Sequence, residues 1–140
     1  MSVISHFSGA QAILALDYPV TIIFNDKPYP SLWHAMIAAM TTNNELRNAL
    51  SDNQFIMNPE IIKDLWAQVD DLREYRLKVV EMLFKKYAPY SLIEQLLMYT
   101  SEDDELVYVN DPSGIVGKVT MMIRKGRTLP QVLQELTLQN

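Results

Sequence analysis

The segment from Ser31 to Met40 places the strongest constraint on how this chain can fold. Ser31 is a good helix N-cap, and the residues that follow it are apolar on every face except at His34. A helix with so little polar surface cannot face water, so other elements must surround it. The sequence therefore predicts a buried central helix that begins after Ser31.

Most of the remaining chain predicts helices that bury one face. Apolar positions recur at about 3.6 residues per turn, and prolines, capping residues and a glycine mark the helix ends. The stretch between Pro59 and Pro89 keeps this period throughout and predicts one long helix. The other predicted helices are Glu45 to Leu50 after Thr42 or Asn43, Leu92 to Tyr99 after Ser91, 116–125 before Gly126, and 129–137 after Thr128.

Two segments predict strands. Val20 to Phe24 is β-branched and aromatic and ends in turn residues, Asn25 to Pro28, whereas Glu105 to Val109 is the second candidate. We expect the first strand to pair with Val3-Ile4 or with a later strand. The predicted fold class is α+β: a mainly helical single domain over residues 1–140 with a few short strands.

The residue types restrict the chemistry. There are no cysteines among the 140 residues, which excludes disulfides, thiol catalysis and cysteine-ligated metal centres. Two histidines without cysteine predict no transition-metal site. The sequence contains no Gly-rich phosphate loop, nucleophile elbow or zinc-ligand spacing, so we expect no cofactor.

Charge and hydropathy restrict the partners. The net charge of −5 argues against general nucleic-acid binding, because phosphate contacts require basic surface. No apolar run is long enough to span a membrane, and no signal peptide is recognisable, so we expect a soluble cytoplasmic protein. Six basic residues of the second half are interpreted as solvated helix faces, with a local basic face as the alternative. They are Lys78, Lys85, Lys86, Arg124, Lys125 and Arg127.

A series of short motifs along nearly the whole chain resembles the NADAR (YbiA-like) N-glycosidase family. Each motif is weak alone, and the resemblance rests on their order and spacing. They are Phe7-Ser8-Gly9, Tyr18-Pro19, Tyr29 to Met36, Glu45-Leu46-Arg47, Val79 to Tyr87, Leu96 to Thr100, Leu106 to Asn110, Ile115 to Gly117 and Met121 to Arg124. The resemblance implies a YbiA-like fold, and an activity on ADP-ribose, NAD-derived or riboflavin-pathway N-glycosides.

The chain departs from the family at its functional positions. N-glycosidic cleavage needs a carboxylate near developing positive charge, and basic residues hold the phosphate or ribose. Apolar residues supply neither. In the first half, Ala12 stands where the family has its motif arginine, and Ala15 and Leu16 stand where it has a Ser-Asn pair. Trp33 stands at the helix glutamate and Met40 at the lysine. In the second half, Tyr108 stands at the strand glutamate and Val116 at the tryptophan.

Four residues remain as candidates for a site that the resemblance implies. Asp111 is the nearest counterpart of the family's acidic residue, although Asp-Pro-Ser-Gly is also a typical turn. His34 keeps the family's position and is either a pocket contact or a hydrogen-bonded structural histidine. Trp33 either fills the pocket or stacks on a base. Asn110, beside Asp111, is a further ligand-binding candidate.

Two functions follow from the resemblance. We interpret the chain first as a non-catalytic relative that binds a protein partner or copies of itself. A phage-encoded accessory protein or a virion component is one setting consistent with that interpretation. The alternative is an enzyme or nucleotide binder with a rebuilt site, in which Asp111 and His34 supply the remaining chemistry.

Overall fold

The computed structural model describes residues 3–4, 15–16, 18–52, 59–88, 91–98, 105–106, 108 and 115–138. These residues form an α+β fold that is mainly helical, as predicted. The chain divides into two compact units. Leu16–Met82 forms the continuous unit, whereas Met1–Ala15 and Leu83–Asn140 together form the split unit. A single domain over residues 1–140 stays a prediction.

Helices outnumber strands in the described ranges, and each strand is only two or three residues long. No helix in those ranges has the length and apolar content that crossing a bilayer requires. The strands are β1 (Val3–Ile4), β2 (Ile22–Phe24), β3 (Lys27–Tyr29) and β4 (Glu105–Leu106). The helices are α1 (Leu32–Ala39), α2 (Asn44–Ser51), α3 (Pro59–Ala67), α4 (Leu72–Lys86), α5 (Leu92–Met98), α6 (Val116–Arg124) and α7 (Leu129–Leu138).

A tight hairpin opens the continuous unit. β2 and β3 are antiparallel, and Ile22 lies opposite Tyr29. Asn25 and Asp26 form the connection with φ values of 51° and 63°, the left-handed conformation that a type I′ turn requires at both central residues. The expected turn is therefore confirmed, but it is shorter than predicted. The sequence does not predict β3, because Pro28 has no backbone N–H to donate to a neighbouring strand and is typical of a turn.

The strand pairing resolves the two expected alternatives. β2 pairs with a later strand, β3, and not with Val3–Ile4. Val3–Ile4 instead pairs with β4 in parallel, with Val3 opposite Glu105.

The predicted central helix is confirmed. α1 buries all of its residues except His34 and Ala39, which are partly exposed. Its first turn is capped by Ser31, whose hydroxyl accepts a hydrogen bond from the backbone N–H of His34 at 3.3 Å. The hairpin and α2 pack against it. α1 is therefore the core element of the continuous unit.

The prediction of one long helix between Pro59 and Pro89 is wrong. The chain forms two helices, α3 and α4, which Gln68 to Asp71 separate. The Asp71 carboxylate accepts a hydrogen bond from the Glu74 N–H at 3.0 Å, so it caps a new helix. The apolar period continues across the break, which explains why periodicity alone did not reveal it.

The split unit packs α6 against the short parallel sheet. α6 approaches β4 most closely at Gly117, where there is no room for a side chain. The Thr120 hydroxyl is buried and donates to the Val116 carbonyl at 2.7 Å, so no polar atom of that side chain is left unsatisfied.

The turn between α6 and α7 is specified by local hydrogen bonds. Gly126, with φ of 85°, donates to the Ile123 carbonyl and Arg127 to the Met122 carbonyl, which is the Schellman arrangement. Thr128 and Gln131 then form a reciprocal capping box at the start of α7. The predicted helix stop and cap are both confirmed.

We predict that Gly117→Ala destabilises the protein by about 1–3 kcal/mol, the usual cost of overpacking a buried contact. The added methyl group would overlap the Leu106 carbonyl oxygen and lie 3.4 Å from Tyr108 Cδ2. Urea unfolding followed by circular dichroism measures the change. Gly126→Asn is the control, because no atom lies within 4 Å of its added Cβ and asparagine tolerates positive φ. An equal loss in both variants would contradict the packing argument.

Candidate functional site

Trp33 and His34 lie in the first turn of α1, just after the hairpin. The Ser31 hydroxyl lies 2.6 Å from His34 Nδ1 and also caps the helix. The His34 ring is therefore held by its own helix cap, as the structural interpretation of this histidine expects. The residue as a whole remains partly exposed.

Trp33 lies inside the core. Its side chain is only 3% exposed, and its backbone N–H donates to the Leu16 carbonyl at 2.9 Å. The indole Nε1 is buried without an acceptor among the described residues. The residue therefore contributes a large apolar ring to the continuous unit, and its indole N–H remains an unused donor.

The other residues compared with the family in the sequence differ in burial. Met40 is 5% exposed in the continuous unit, and Val116 is fully buried in the split unit. Ala15 and Leu16 are partly exposed. Tyr108 is partly buried, also in the split unit. Ala12, Asn110 and Asp111 lie outside the described residues, so the roles considered for them stay predictions.

A separate cleft opens in the continuous unit, with a volume of about 230 Å³. Its walls come from the end of α1 and the segment that leads to α2, from α2, from the turn between α3 and α4, and from α4. Neither Trp33 nor His34 lines it. Its polar lining residues are Thr41, Thr42, Arg47, Gln68, Asp70, Asp71, Glu74, Tyr75 and Lys78, and its apolar ones are Ala39, Met40 and Val69.

Arg47 is the best-held charged group of this cleft. Its Nε donates to the Ala38 carbonyl at 3.1 Å, and its guanidinium carbon lies 5.4 Å from the centre of the Phe24 ring. No carboxylate of the described chain forms an ion pair with it. The pKa of Tyr29 is raised by burial, and the nearby Arg47 charge opposes that rise. The guanidinium is thus fixed in place with its two amino groups still available.

Three carboxylates line the cleft. Glu74 pairs with Lys78 at 3.3 Å, and Asp71 caps α4 through a backbone N–H. Asp70 is exposed and makes no ion pair within the described residues. Arg47 and Asp70 are therefore the charged groups of the lining with neither an ion pair nor a capping bond in the described part of the chain.

Two of the six basic residues are buried, contrary to the expectation of solvated faces. Lys86 is 2% exposed and Arg124 is 3% exposed, both in the split unit. The Lys86 ammonium donates to the Ala15 carbonyl at 2.7 Å and lies 5.3 Å from the centre of the Tyr87 ring. Both contacts compensate for lost hydration, which is why a cation is tolerated there. Lys85, Lys125 and Arg127 are exposed, as expected.

Tyr87 completes this buried polar cluster. Burial raises its pKa well above the ordinary value of 10.0, and the neighbouring Tyr108 raises it further. The phenol therefore stays protonated in the folded protein at neutral pH. Its ring faces the Lys86 ammonium, so Tyr87 helps to stabilise a buried cation.

The described residues contain no cluster of His, Cys, Asp or Glu that could hold a metal ion. No family model, curated protein or solved structure matches the chain. The site must therefore be interpreted from its own chemistry.

The Trp33–His34 pair is a candidate from the sequence, but the cleft is not. In the sequence Arg47 belongs only to a family-like motif, and Asp70 belongs to no motif. The one available signal was the Asp70-Asp71 pair inside an otherwise regular apolar period. Recognising that pair as a helix break would have placed two carboxylates on a loop.

We predict that Trp33→Ala lowers the free energy of unfolding by about 3–5 kcal/mol, the usual cost of removing a buried aromatic ring. Trp66→Ala is the control, because Trp66 is only partly buried, against the edge of Tyr75. Urea unfolding of both variants gives the comparison. A loss at Trp33 no larger than the loss at Trp66 would show that the indole is not a core group.

We predict that stability falls as pH rises above about 10, and that Tyr87→Phe reduces this fall. The folded pKa of Tyr87 is raised, so the unfolded chain loses this proton first and the folded state is disfavoured at alkaline pH. Unfolding free energies at pH values on both sides of about 10 measure the slope. Equal slopes in wild type and Tyr87→Phe would contradict the assignment.

Proposed function

We propose that this chain is a catalytically degenerate NADAR (YbiA-like) domain that acts as a protein-interaction or structural module. The supporting observation is the burial of Trp33, 3% exposed, at the position of the family's helix glutamate. An indole in the core offers no carboxylate, and it fills space that a ligand would otherwise use.

Chemistry at the neighbouring positions supports the same proposal. An oxocarbenium-like transition state needs negative charge and an acid or base near the scissile bond. Met40 and Val116 are buried and provide only apolar contact. His34 is tied to Ser31, so its ring acts as part of a helix cap. These features favour a stable scaffold over a hydrolase.

The proposed partner is a protein, and a second copy of the chain is included in that class. Large apolar side chains reach the surface in both units and supply candidate contact points. Those of the continuous unit are Ile23, Ile61 and Leu72, and that of the split unit is Met98. A cytoplasmic setting, in a bacterial cell or a phage-infected host, and a role in a virion both agree with such a module.

One observation favours the alternative function, binding of an ADP-ribose-like, NAD-derived or riboflavin-pathway N-glycoside at a rebuilt site. The Trp33 indole N–H has no acceptor in the described part of the chain, and the His34 ring beside it is partly exposed. A ligand that supplied an acceptor there would satisfy a buried donor. In this alternative Asp111 and His34 would supply the surviving chemistry, with Asn110 as a further contact.

We predict that ADP-ribose, added to millimolar concentration, changes neither the tryptophan fluorescence nor the thermal midpoint of the purified protein. Ligand that binds only the folded state would raise the midpoint, so an unchanged midpoint reports no binding. Trp33→Phe is the matched variant, because it keeps a ring in the core and removes the indole N–H. A saturable change in the wild type that this variant loses would overturn the proposal in favour of the ligand binder.

Sedimentation over a wide range of protein concentration then addresses the partner. A concentration-dependent increase in mass supports self-association, and substitution of the exposed Ile61 or Leu72 by glutamate tests whether those side chains take part. A monomer at every concentration excludes a second copy as the partner.

A further inference from the structure

We propose that the cleft of the continuous unit binds a small zwitterion, a molecule with one carboxylate and one ammonium group as in a free α-amino acid. Arg47 receives the carboxylate and Asp70 the ammonium. This inference is independent of the proposed function, because the cleft contains neither Trp33 nor His34.

The Arg47 guanidinium is held in place before any ligand binds, as a preorganised carboxylate-binding group is. The Nε bond to Ala38 and the Phe24 ring fix the guanidinium, so little side-chain freedom remains to be lost on binding. Its two amino groups carry the parallel N–H donors that bind a carboxylate in a two-pronged arrangement. Thr41 and Thr42, on the same wall, add hydroxyl groups.

The charges that line the cleft select a zwitterion over a simple anion. Lys78 and Glu74 neutralise each other, and the Asp71 carboxylate is occupied at the start of α4. Arg47 and Asp70, one charge of each sign, are the lining charges that make neither an ion pair nor a capping bond within the described residues. A phosphate dianion would satisfy Arg47 but would be repelled by Asp70 and Asp71, which no basic side chain of the described chain pairs.

The size and apolar lining limit the ligand further. A volume of about 230 Å³ is below the roughly 300–1,000 Å³ typical of sites for drug-sized ligands. The cleft therefore suits a compact molecule and not a dinucleotide. Met40 and Val69 offer an apolar wall for a short side chain, which makes L-alanine a suitable probe.

The test is a titration of the full chain with four probes: L-alanine, acetate, methylammonium and inorganic phosphate. Calorimetry measures the affinity, and two-dimensional amide NMR locates the residues that respond. L-Alanine should produce saturable shifts at Thr41, Thr42 and Asp70. Acetate, which lacks the ammonium, should bind about tenfold more weakly, the scale of one lost charge-assisted hydrogen bond. Methylammonium and inorganic phosphate should produce no saturable shift.

Two variants separate recognition from structural support. Asp70→Asn removes an exposed charge and should lower the affinity for L-alanine, because the ammonium group loses its carboxylate partner, whereas acetate should bind no more weakly, because a repelling charge is gone. Arg47→Lys keeps the charge but loses the planar pair of donors, so it should weaken both ligands. Arg73→Gln, an exposed arginine on α4 that does not line the cleft, is the matched control and should leave both affinities unchanged.

Three results would overturn the proposal. The first is an absence of saturable shifts with L-alanine, which would leave Arg47 as a support for the Ala38 carbonyl alone. The second is an Asp70→Asn variant that binds L-alanine as tightly as the wild type. The third is phosphate binding at the same amides with an affinity equal to that of L-alanine. That result would show that the carboxylates of the lining do not discriminate a zwitterion from an anion.

Discussion

The continuous unit depends on the burial of one helix that has almost no polar side. α1 cannot be stable alone in water, so its hydrogen-bonded backbone must be enclosed while its ends remain satisfied. The Ser31 cap and the bond from Trp33 to Leu16 satisfy the first turn. The hairpin and α2 then cover the apolar faces. The same requirement explains why an indole, and not a carboxylate, is tolerated at Trp33: an isolated charge there would lose its hydration without a partner.

The cleft lies where α1 ends and α2 begins to pack against it. Ala38 lies near the end of the buried helix, where its carbonyl accepts from the Thr41 N–H at 3.4 Å and from Arg47 Nε of the next helix at 3.1 Å. The contact with this carbonyl holds a cation at the edge of an open space. The break between α3 and α4 places Asp70 and Asp71 in the lining of the same cleft.

Helix caps could be predicted from the sequence, whereas contacts between residues far apart in the chain could not. The caps at Ser31, Asn43 and Thr128 were predicted because a capping side chain bonds within its own turn. The helix break at Asp71 was missed because the apolar period continues through it. The burial of Lys86 depends on the carbonyl of Ala15, far away in sequence, and no local pattern encodes that contact. For the same reason Arg47 and Asp70 could not be joined into one candidate site before the fold was known.

The pairing of β1 with β4 has a consequence for the order of folding during synthesis. All residues of the continuous unit have been made once the chain reaches Met82, so its contacts can form early. The parallel pair of Val3 with Glu105 must wait for the later segment and then closes a loop of about a hundred residues. Such distant pairing is slow compared with helix or hairpin formation. Val3–Ile4 is therefore synthesised about a hundred residues before the strand with which it pairs.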